Sequence, residues 1–350
     1  MKARNLKEDI MGLEHSPFSV GRGQRGEKNL ITDVPGVTVG HVTLYEGDDV
    51  RTGVTCIKPH GGNLFTDKVM AASHVFNGYG KTAGLVQINE LGTIEAPILL
   101  TNTLSVGTAL IGGIRYMMAQ NPDIGESAGT VNVVVGECND GTLNDIRGLH
   151  VTEQHVLDAI NACADTFAEG AVGAGTGMCC LGFKGGIGSA SRVLMLDGQS
   201  YTVGALVLAN FGGRGRLMID GRQIGREIAA RDNAADKGSI IMIIATDAPL
   251  SERQLGRVAR RAGVGLSRTG SYMGNGSGDV AIAFSTANRV PHGTEQAVQT
   301  YSTLHDNYID HVFDMTAEAV EEAIGSALWH AETTTGKNGA TLPGLATYFA

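Results

Sequence analysis

The dipeptide Gly238-Ser239 combines a nucleophile with a possible point of chain cleavage. A polar stretch rich in turn-forming residues, 231–237, precedes it, and the apolar run 240–245 that follows predicts a buried strand. If the peptide bond before Ser239 were cut, the new chain would begin with a serine whose α-amine lies a few bonds from its hydroxyl. An α-amine titrates near pH ~7.7–8.0, so it can act as general base for that hydroxyl. The alternative is an ordinary polar loop before a buried strand.

Ser277 and Asp279 form a second candidate pair, which combines a hydroxyl with a carboxylate. The segment 274–278 matches G-x-S-x-G, but it precedes a predicted strand, whereas a nucleophile elbow follows a strand and opens a helix. Ser277 is therefore a poor α/β-hydrolase nucleophile. In an extended segment, residues two apart face the same side, so Ser277 and Asp279 could serve one site. The alternative is a turn in which both side chains bind local backbone amides.

The histidines do not form the H-E-x-x-H pattern of a metallohydrolase. His305 and His311, with Asp306 and Asp310 nearby, could form a metal cluster or a solvated polar loop. We expect the solvated loop, and therefore no metal site.

Two glycine-rich runs, 173–177 and 182–188, could suggest nucleotide binding. The first lacks both the G-x-G-x-x-G spacing of a dinucleotide site and the Lys-Ser/Thr ending of a P-loop. We therefore expect no cofactor. Each run is interpreted as a glycine-lined loop beside a substrate cleft or, for the second, equally as a plain turn.

The composition of the 350 residues narrows the function classes further. A net charge of −9 with no Lys/Arg cluster argues against a nucleic-acid partner. No stretch approaches the ~18 apolar residues of a membrane span, and the first residues lack the apolar core of a signal peptide. Five cysteines, an odd number without a C-x-x-C, predict reduced thiols and a cytoplasmic protein.

Periodicity predicts a layered α+β fold, because strand patterns cluster in pairs and no regular βαβ alternation occurs. A polar arm, flexible or wrapping, is predicted over residues 1–30. The predicted strands are 37–44, 53–57, 130–135, 192–196, 201–209, 240–245 and 280–285, with a hairpin turn at Asp197-Gly198. The predicted helices are 104–118 with Ser105 as cap, 152–164, 252–262 with a Ser251/Gln254 capping box, and 316–333.

Over nearly its whole length, the chain resembles the L-aminopeptidase/D-esterase family, which includes D-aminopeptidase-type and β-peptidyl aminopeptidases. The resemblance rests on ordered blocks: NLITDVPGV at 29–37, VGHVT at 39–43, TGVT at 52–55, GECNDG at 136–141, LND at 143–145, GAGTG at 173–177, ANFG at 209–212, GSII at 238–241 and ATDAPL at 245–250.

The resemblance implies a four-layer αββα sandwich, similar in layering to the N-terminal nucleophile hydrolases but different in connectivity. It implies a single layered domain, 1–350, whose precursor cuts itself between Gly238 and Ser239. The fragments 1–238 and 239–350 would remain together as one folded unit. It also implies assembly as a homotetramer.

The resemblance further assigns roles to individual residues. Ser239 matches the nucleophile, Ser277 the second serine, and Asn210 the asparagine that helps to form the oxyanion hole. Asp279 occupies the position of an acidic residue that is usually glutamate, and could orient the amine of Ser239 or hold the ammonium group of a substrate.

Two further positions concern substrate binding. Glu137 is a second candidate for the ammonium group of the substrate. Thr142 stands where some members carry a tyrosine, and the loss of that ring could enlarge the pocket.

The expected function is that of an autoprocessing serine aminopeptidase, amidase or esterase. Its substrates would be short peptides or amino-acid amides and esters, and the sequence leaves open whether their N-terminal residues are L-, D- or β-amino acids. One alternative is an acyltransferase of similar fold, although such enzymes usually use threonine as the released nucleophile. Another is a binding protein that kept the fold and lost the chemistry.

Overall fold

The structure, a computed structural model, describes residues 20–228 and 237–349. In chain order its strands are β1 (Thr38–Glu46), β2 (Val50–Lys58), β3 (Asp67–Gly78), β4 (Thr93–Ile94), β5 (Ile98–Asn102), β6 (Val134–Cys138), β7 (Cys179–Cys180), β8 (Phe183–Lys184), β9 (Gly186–Leu196), β10 (Gln199–Phe211), β11 (Lys237–Thr246), β12 (Gly276–Pro291), β13 (Thr334–Thr335) and β14 (Thr341–Leu342). The α-helices are α1 (Leu85–Leu91), α2 (Val106–Gln120), α3 (Glu153–Asn161), α4 (Ile224–Ile228), α5 (Glu252–Arg268) and α6 (Ile309–Trp329).

A four-stranded sheet in the order β1-β2-β5-β6 lies against a six-stranded sheet in the order β4-β3-β12-β11-β10-β9. Neighbouring strands are antiparallel except for two parallel pairs, β5 with β6 and β11 with β12. Strand β11 therefore has β10 on one side and β12 on the other.

Alternate residues along β11 belong to different parts of the core. Ile241 and Ile243 pack between the two sheets, whereas Ile240 and Met242 pack outward against α5 and α6. A third apolar cluster joins the opposite face of the four-stranded sheet to α2 and α3. The order of layers is therefore helix, sheet, sheet, helix, which confirms the predicted α+β sandwich.

Local signals located several elements correctly. Asp197 and Gly198 both have positive φ, +50° and +77°, as a two-residue hairpin turn between β9 and β10 requires. The Ser251 hydroxyl accepts from the Gln254 backbone N–H, and the Gln254 side chain accepts from the Ser251 N–H, which confirms the predicted capping box. Thr152 likewise caps α3, which ends at Asn161 rather than near residue 164.

The predicted strand 130–135 is wrong in position, because the observed strand, β6, covers Val134–Cys138. The backbone N–H and the side-chain amide of Asn132 both donate to Glu95 Oε1, at 2.8 Å each. The carboxylate thus takes the place of a ladder partner.

Ser105 occupies the N-cap position of α2, as predicted, but its side chain makes no capping hydrogen bond. Asn102 Oδ1 instead accepts from the N–H groups of Leu104 and Ser105 in the 3-10 turn before α2.

Two elements near the C-terminal end are longer or displaced relative to the prediction. Strand β12 begins at Gly276 rather than at residue 280, because it pairs with both β3 and β11. Helix α6 begins at Ile309 and ends at Trp329, so His311 lies in its first turn and not in a loop.

The predicted arm falls partly outside the described residues, which begin at Val20. From there it lies against α6, where the N–H groups of Arg22 and Gly23 donate to the Glu318 carboxylate at 2.7 and 2.9 Å. This part wraps the core. Within 20–228 and 237–349, no helix is long and apolar enough to cross a membrane.

Candidate active site

Ser239 lies near the start of β11, with Asn210 of β10 directly opposite on one side and Gly278 of β12 on the other. By the alternation of β11 it shares the face of Ile241 and Ile243, between the two sheets. Its side chain is largely buried, with the residue 7% exposed. Its hydroxyl donates to the carbonyl oxygen of Gly238 at 2.6 Å, so the candidate nucleophile touches the peptide bond that it is predicted to cut.

Gly238 occupies a backbone conformation that suits glycine alone. Its φ of +121° lies in the region that L-residues rarely adopt. A Cβ at this position would lie only 2.0 Å from the carbonyl oxygen of Asn210. The strand pairing that aligns Ser239 with Asn210 therefore depends on a residue without a side chain at the predicted cleavage point.

The side-chain amide of Asn210 is held from both ends. Its Oδ1 accepts from the Cys179 backbone N–H at 2.8 Å, and its Nδ2 donates to the Asn139 carbonyl oxygen at 3.0 Å. Because Oδ1 is bound to an N–H group, the amide nitrogen is the end available as a donor at the cleft. This is the orientation that an oxyanion-binding amide needs.

Ser277 and Asp279 bind each other rather than local backbone amides, as the Ser277 hydroxyl donates to Asp279 Oδ1 at 2.6 Å. Both residues are fully buried. A Cβ on the intervening Gly278 would lie 3.0 Å from Ser239 Oγ, so Gly278 faces Ser239 and the Ser277–Asp279 pair faces the other side of β12. Ser277 is paired with Gly238 in the parallel register, beside the predicted cleavage point.

Glu137 lies on β6 and lines the same cleft as Ser239. Its Oε1 accepts from the Lys81 backbone N–H at 2.7 Å, and its Oε2 accepts from the Thr103 hydroxyl. Burial raises the pKa of Glu137, and the Thr103 hydroxyl and the Lys81 N–H and ammonium oppose that shift. A buried carboxylate at a cleft wall can bind a substrate cation.

A cleft of about 370 Å³ brings these groups together. Its walls include Ser239, Asn210, Glu137 and the predicted Thr142, but neither Ser277 nor Asp279 belongs to the residues that line it. Of the two candidate carboxylates, only Glu137 therefore reaches the substrate space. Asp279 instead accepts from the Ser277 hydroxyl.

Several cleft residues carried no usable signal in the sequence: Tyr79, Lys81, Thr103 and Cys179. They come from three separate segments, which only the packing of the sheets brings together. Burial raises the pKa of the Cys179 thiol, against the effects of Lys184 and Thr142, so this thiol stays protonated and does not compete as a nucleophile.

The glycine-rich runs do not form the walls of the cleft: Cys179, between them, lines it, but no residue of 173–177 or 182–188 does. The first run packs on the four-stranded sheet, where Thr43 Oγ1 accepts from Gly173 N–H at 2.8 Å and Thr55 Oγ1 from Ala174 N–H at 3.1 Å. A Cβ on Gly173 would lie 2.4 Å from Thr55 Oγ1. Close approach to β2 explains this glycine.

The His305 region serves a structural purpose. Asp306 forms an ion pair with Arg253 at 2.9 Å, and His305 Nδ1 accepts from the Asn307 N–H at 3.2 Å. No group of three or more potential metal ligands occurs within the part of the chain that the structure describes. The five cysteines, all within the described ranges, form no disulfide bond.

Comparison with known proteins gives one family and several close structures. The sequence profile of peptidase family S58 matches residues 29–342. The β-peptidyl aminopeptidase BapA of Sphingosinicella microcystinivorans is 41% identical over 354 residues, covering 94% of this chain and 87% of the relative.

Among solved structures, the PH0078 protein from Pyrococcus horikoshii OT3 is 53% identical, with 95% of each chain covered and a TM-score of 0.91. The L-aminopeptidase D-Ala-esterase/amidase from Ochrobactrum anthropi is 37% identical, with 94% of each chain covered and a TM-score of 0.88. That enzyme is described as a prototype of the serine aminopeptidases and a new variant of the N-terminal nucleophile (Ntn) hydrolase fold.

Proposed function

Because this chain belongs to peptidase family S58 and is an aminopeptidase of the Ntn type, we propose that Ser239 is its nucleophile, released by self-cleavage after Gly238. One observation carries the proposal: the Ser239 hydroxyl touches the Gly238 carbonyl while it faces Asn210 and a cleft with a buried carboxylate.

Cleavage of the precursor would begin with attack of Ser239 Oγ on the carbonyl carbon of Gly238. The hydroxyl proton passes to the departing amide nitrogen, and the peptide bond becomes an ester. Water then hydrolyses that ester, which leaves a carboxylate on Gly238 and a free α-amine and hydroxyl on Ser239. We propose that Ser277, which pairs with Gly238 in the parallel register, relays the proton; this requires its hydroxyl, which donates to Asp279, to turn toward Ser239 from the other face of β12.

The topology supports two fragments, 1–238 and 239–350, that stay together as a single layered domain. In the six-stranded sheet, β11 and β12 of the second fragment lie between β10 and β3 of the first. Cutting the chain before Ser239 would leave the ladders on both sides of the inserted pair intact.

In the mature enzyme, Ser239 would attack the scissile carbonyl of the substrate with its own α-amine as base. Asn210 Nδ2 would bind the oxyanion, Glu137 would bind the substrate ammonium, and Thr142 would form part of the pocket wall. Removing one oxyanion donor typically costs about 2.7–4 kcal/mol of transition-state stabilisation. The acyl-enzyme ester is then hydrolysed by water.

The substrates that fit these groups are short peptides and amino-acid amides or esters with a free N-terminal amine. The cleft requires a cation beside Glu137 and a carbonyl beside Ser239, and L-, D- and β-amino acids all supply these groups. We further propose a cytoplasmic homotetramer of processed units. The free thiols are compatible with a reducing compartment, and light scattering combined with cell fractionation tests both points.

The decisive experiment is intact-mass analysis under denaturing conditions with an activity assay on a panel of amino-acid amides. Wild type should give two fragments and hydrolyse members of the panel, whereas Ser239→Ala should remain one chain of about 36.5 kDa without activity. An uncut, inactive wild-type protein would contradict the proposal. Supplying an amine acceptor distinguishes the acyltransferase alternative, which predicts that transfer outruns hydrolysis.

A further inference from the structure

Lys184, in β8, is a fully buried cation outside the cleft. Its ammonium donates to three backbone carbonyl oxygens, those of Gly175 at 2.9 Å, Met178 at 2.8 Å and Gly185 at 2.6 Å. An ammonium group has three donors, so the three carbonyls match it completely. Burying a charge whose partners are backbone carbonyls rather than a carboxylate costs free energy of folding. We therefore expect the loop that Lys184 holds to have a role that outweighs this cost.

One of those carbonyls leads directly to the candidate oxyanion site. The peptide unit between Met178 and Cys179 accepts from Lys184 at its oxygen and donates from its N–H to Asn210 Oδ1 at 2.8 Å. A peptide unit is planar, so fixing its oxygen also fixes the direction of its N–H. Accepting a charge-assisted hydrogen bond at the oxygen also strengthens the N–H as a donor.

Asn210 Oδ1 is thereby tied to the Cys179 N–H, which turns the Nδ2 end toward the Asn139 carbonyl and the cleft. Without that tie, the terminal torsion of an asparagine is broad and roughly two-fold, so the amide could present its oxygen to the oxyanion instead. We propose that Lys184 is a positioning residue that orients Asn210 for oxyanion binding through the Met178–Cys179 peptide. The inference rests on the oxyanion role of Asn210 stated under the proposed function.

The surroundings of Lys184 agree with this assignment. Burial lowers the pKa of Lys184 to about 7, and the nearby Cys179, Cys180 and Asp140 oppose that shift. A neutral amine has only two N–H donors and could not donate to all three carbonyls at once. The hydrogen-bond geometry therefore matches the charged form.

A double-mutant cycle tests the inference, with Lys184→Met, Asn210→Ala and their combination. Both kcat and KM are measured on an amino-acid p-nitroanilide and normalised to the processed fraction found by intact mass. Lys184→Met should lower kcat by about 10- to 100-fold, the scale expected for a misplaced catalytic group, with KM changed by less than about twofold. In the Asn210→Ala background the same substitution should change kcat by less than about twofold.

Equal losses from Lys184→Met in both backgrounds would overturn the inference and leave the oxyanion role of Asn210 standing. If Asn210→Ala itself retains wild-type kcat, the oxyanion role and the inference both fail. Val258→Ala, which removes buried methyl groups on α5 away from the cleft, controls for a general loss of stability. Lys184→Gln, which keeps two N–H donors, replaces Lys184→Met if the latter does not fold.

Inhibitor binding gives a second readout that does not need the Asn210 variant. An amino aldehyde forms a hemiacetal with the nucleophile and places an oxyanion in the site, whereas the corresponding amino alcohol does not. Lys184→Met should weaken the aldehyde by the factor lost in kcat/KM and leave the alcohol unchanged. Equal weakening of both inhibitors, or of neither, would contradict a role through the oxyanion site.

Discussion

Ser239 and Asn210 lie directly opposite each other on the antiparallel strands β11 and β10. The candidate nucleophile and the candidate oxyanion donor are thus held by one backbone ladder rather than by mobile loops. Groups on rigid elements need little reorganisation during the reaction, which is the condition under which oxyanion donors contribute most.

Gly238→Ala should slow or abolish self-cleavage. The added Cβ would lie 2.0 Å from the Asn210 carbonyl oxygen at a φ of +121°, so the strand must shift at the scissile bond. Strain of this kind costs about 1–3 kcal/mol. Intact mass over time and thermal unfolding measure the two effects. Gly61→Ala, where a Cβ meets nothing within 4 Å, is the control, and cleavage of Gly238→Ala at the wild-type rate would contradict the prediction.

Glu137→Gln should raise KM for amino-acid amides by at least about tenfold, because the substrate ammonium loses a charge-assisted partner in a buried site. The kcat should fall less than kcat/KM, since the nucleophile is untouched. Steady-state kinetics on alanine amide measure both constants, with Glu126→Gln on the surface as control. An unchanged KM would assign the ammonium to another group.

The dependence of kcat/KM on pH should also report the protonation of Glu137. Burial raises the pKa of Glu137, and binding a cation requires its ionised form. The kcat/KM should therefore fall on the acid side as Glu137 is protonated, at a pH above the usual range of glutamate. This acid limb should be absent in Glu137→Gln; if it persists unchanged, another group causes it.

Asp279→Asn and Ser277→Ala should each lower kcat by about 10²- to 10⁴-fold, the range for loss of general acid–base assistance. If Asp279 acts through the Ser277 hydroxyl to which it is hydrogen-bonded, as proposed, the double variant should be no worse than Ser277→Ala alone. If the two losses in kcat multiply in the double variant, the two residues act separately.

Asp279→Glu tests the acid that the resemblance leads us to expect at this position. In this fully buried position the extra methylene should cost about 1–3 kcal/mol of stability, measured by urea unfolding.

Thr142→Tyr should narrow the cleft and favour small side chains. The ratio of kcat/KM for alanine amide over leucine amide should rise by about tenfold or more, on the scale of one or two methylenes in a pocket. Thr142→Val, which keeps the size of the side chain, should leave the ratio unchanged. An unchanged ratio in Thr142→Tyr would place the specificity wall elsewhere.

Local patterns in the sequence were sufficient for the hairpin at Asp197-Gly198, the capping box of Ser251 and Gln254, and the buried strand after Gly238. Each depends on residues a few positions apart. The strand predicted over 130–135 failed because Glu95, distant in sequence, binds the backbone of Asn132. No short-range signal contains that contact.

The sequence by itself determined that Ser239 heads a core strand behind a glycine and that Asn210 and Glu137 occur in recognisable blocks. Only the tertiary structure decided that Asn210 lies opposite Ser239 and that Glu137 reaches the cleft. It also decided that Asp279 is buried and bound to Ser277, and that one peptide unit joins Lys184 to Asn210. Periodicity and turn chemistry act over a few residues, whereas burial and side-chain partners depend on which distant strands the hydrophobic core brings together.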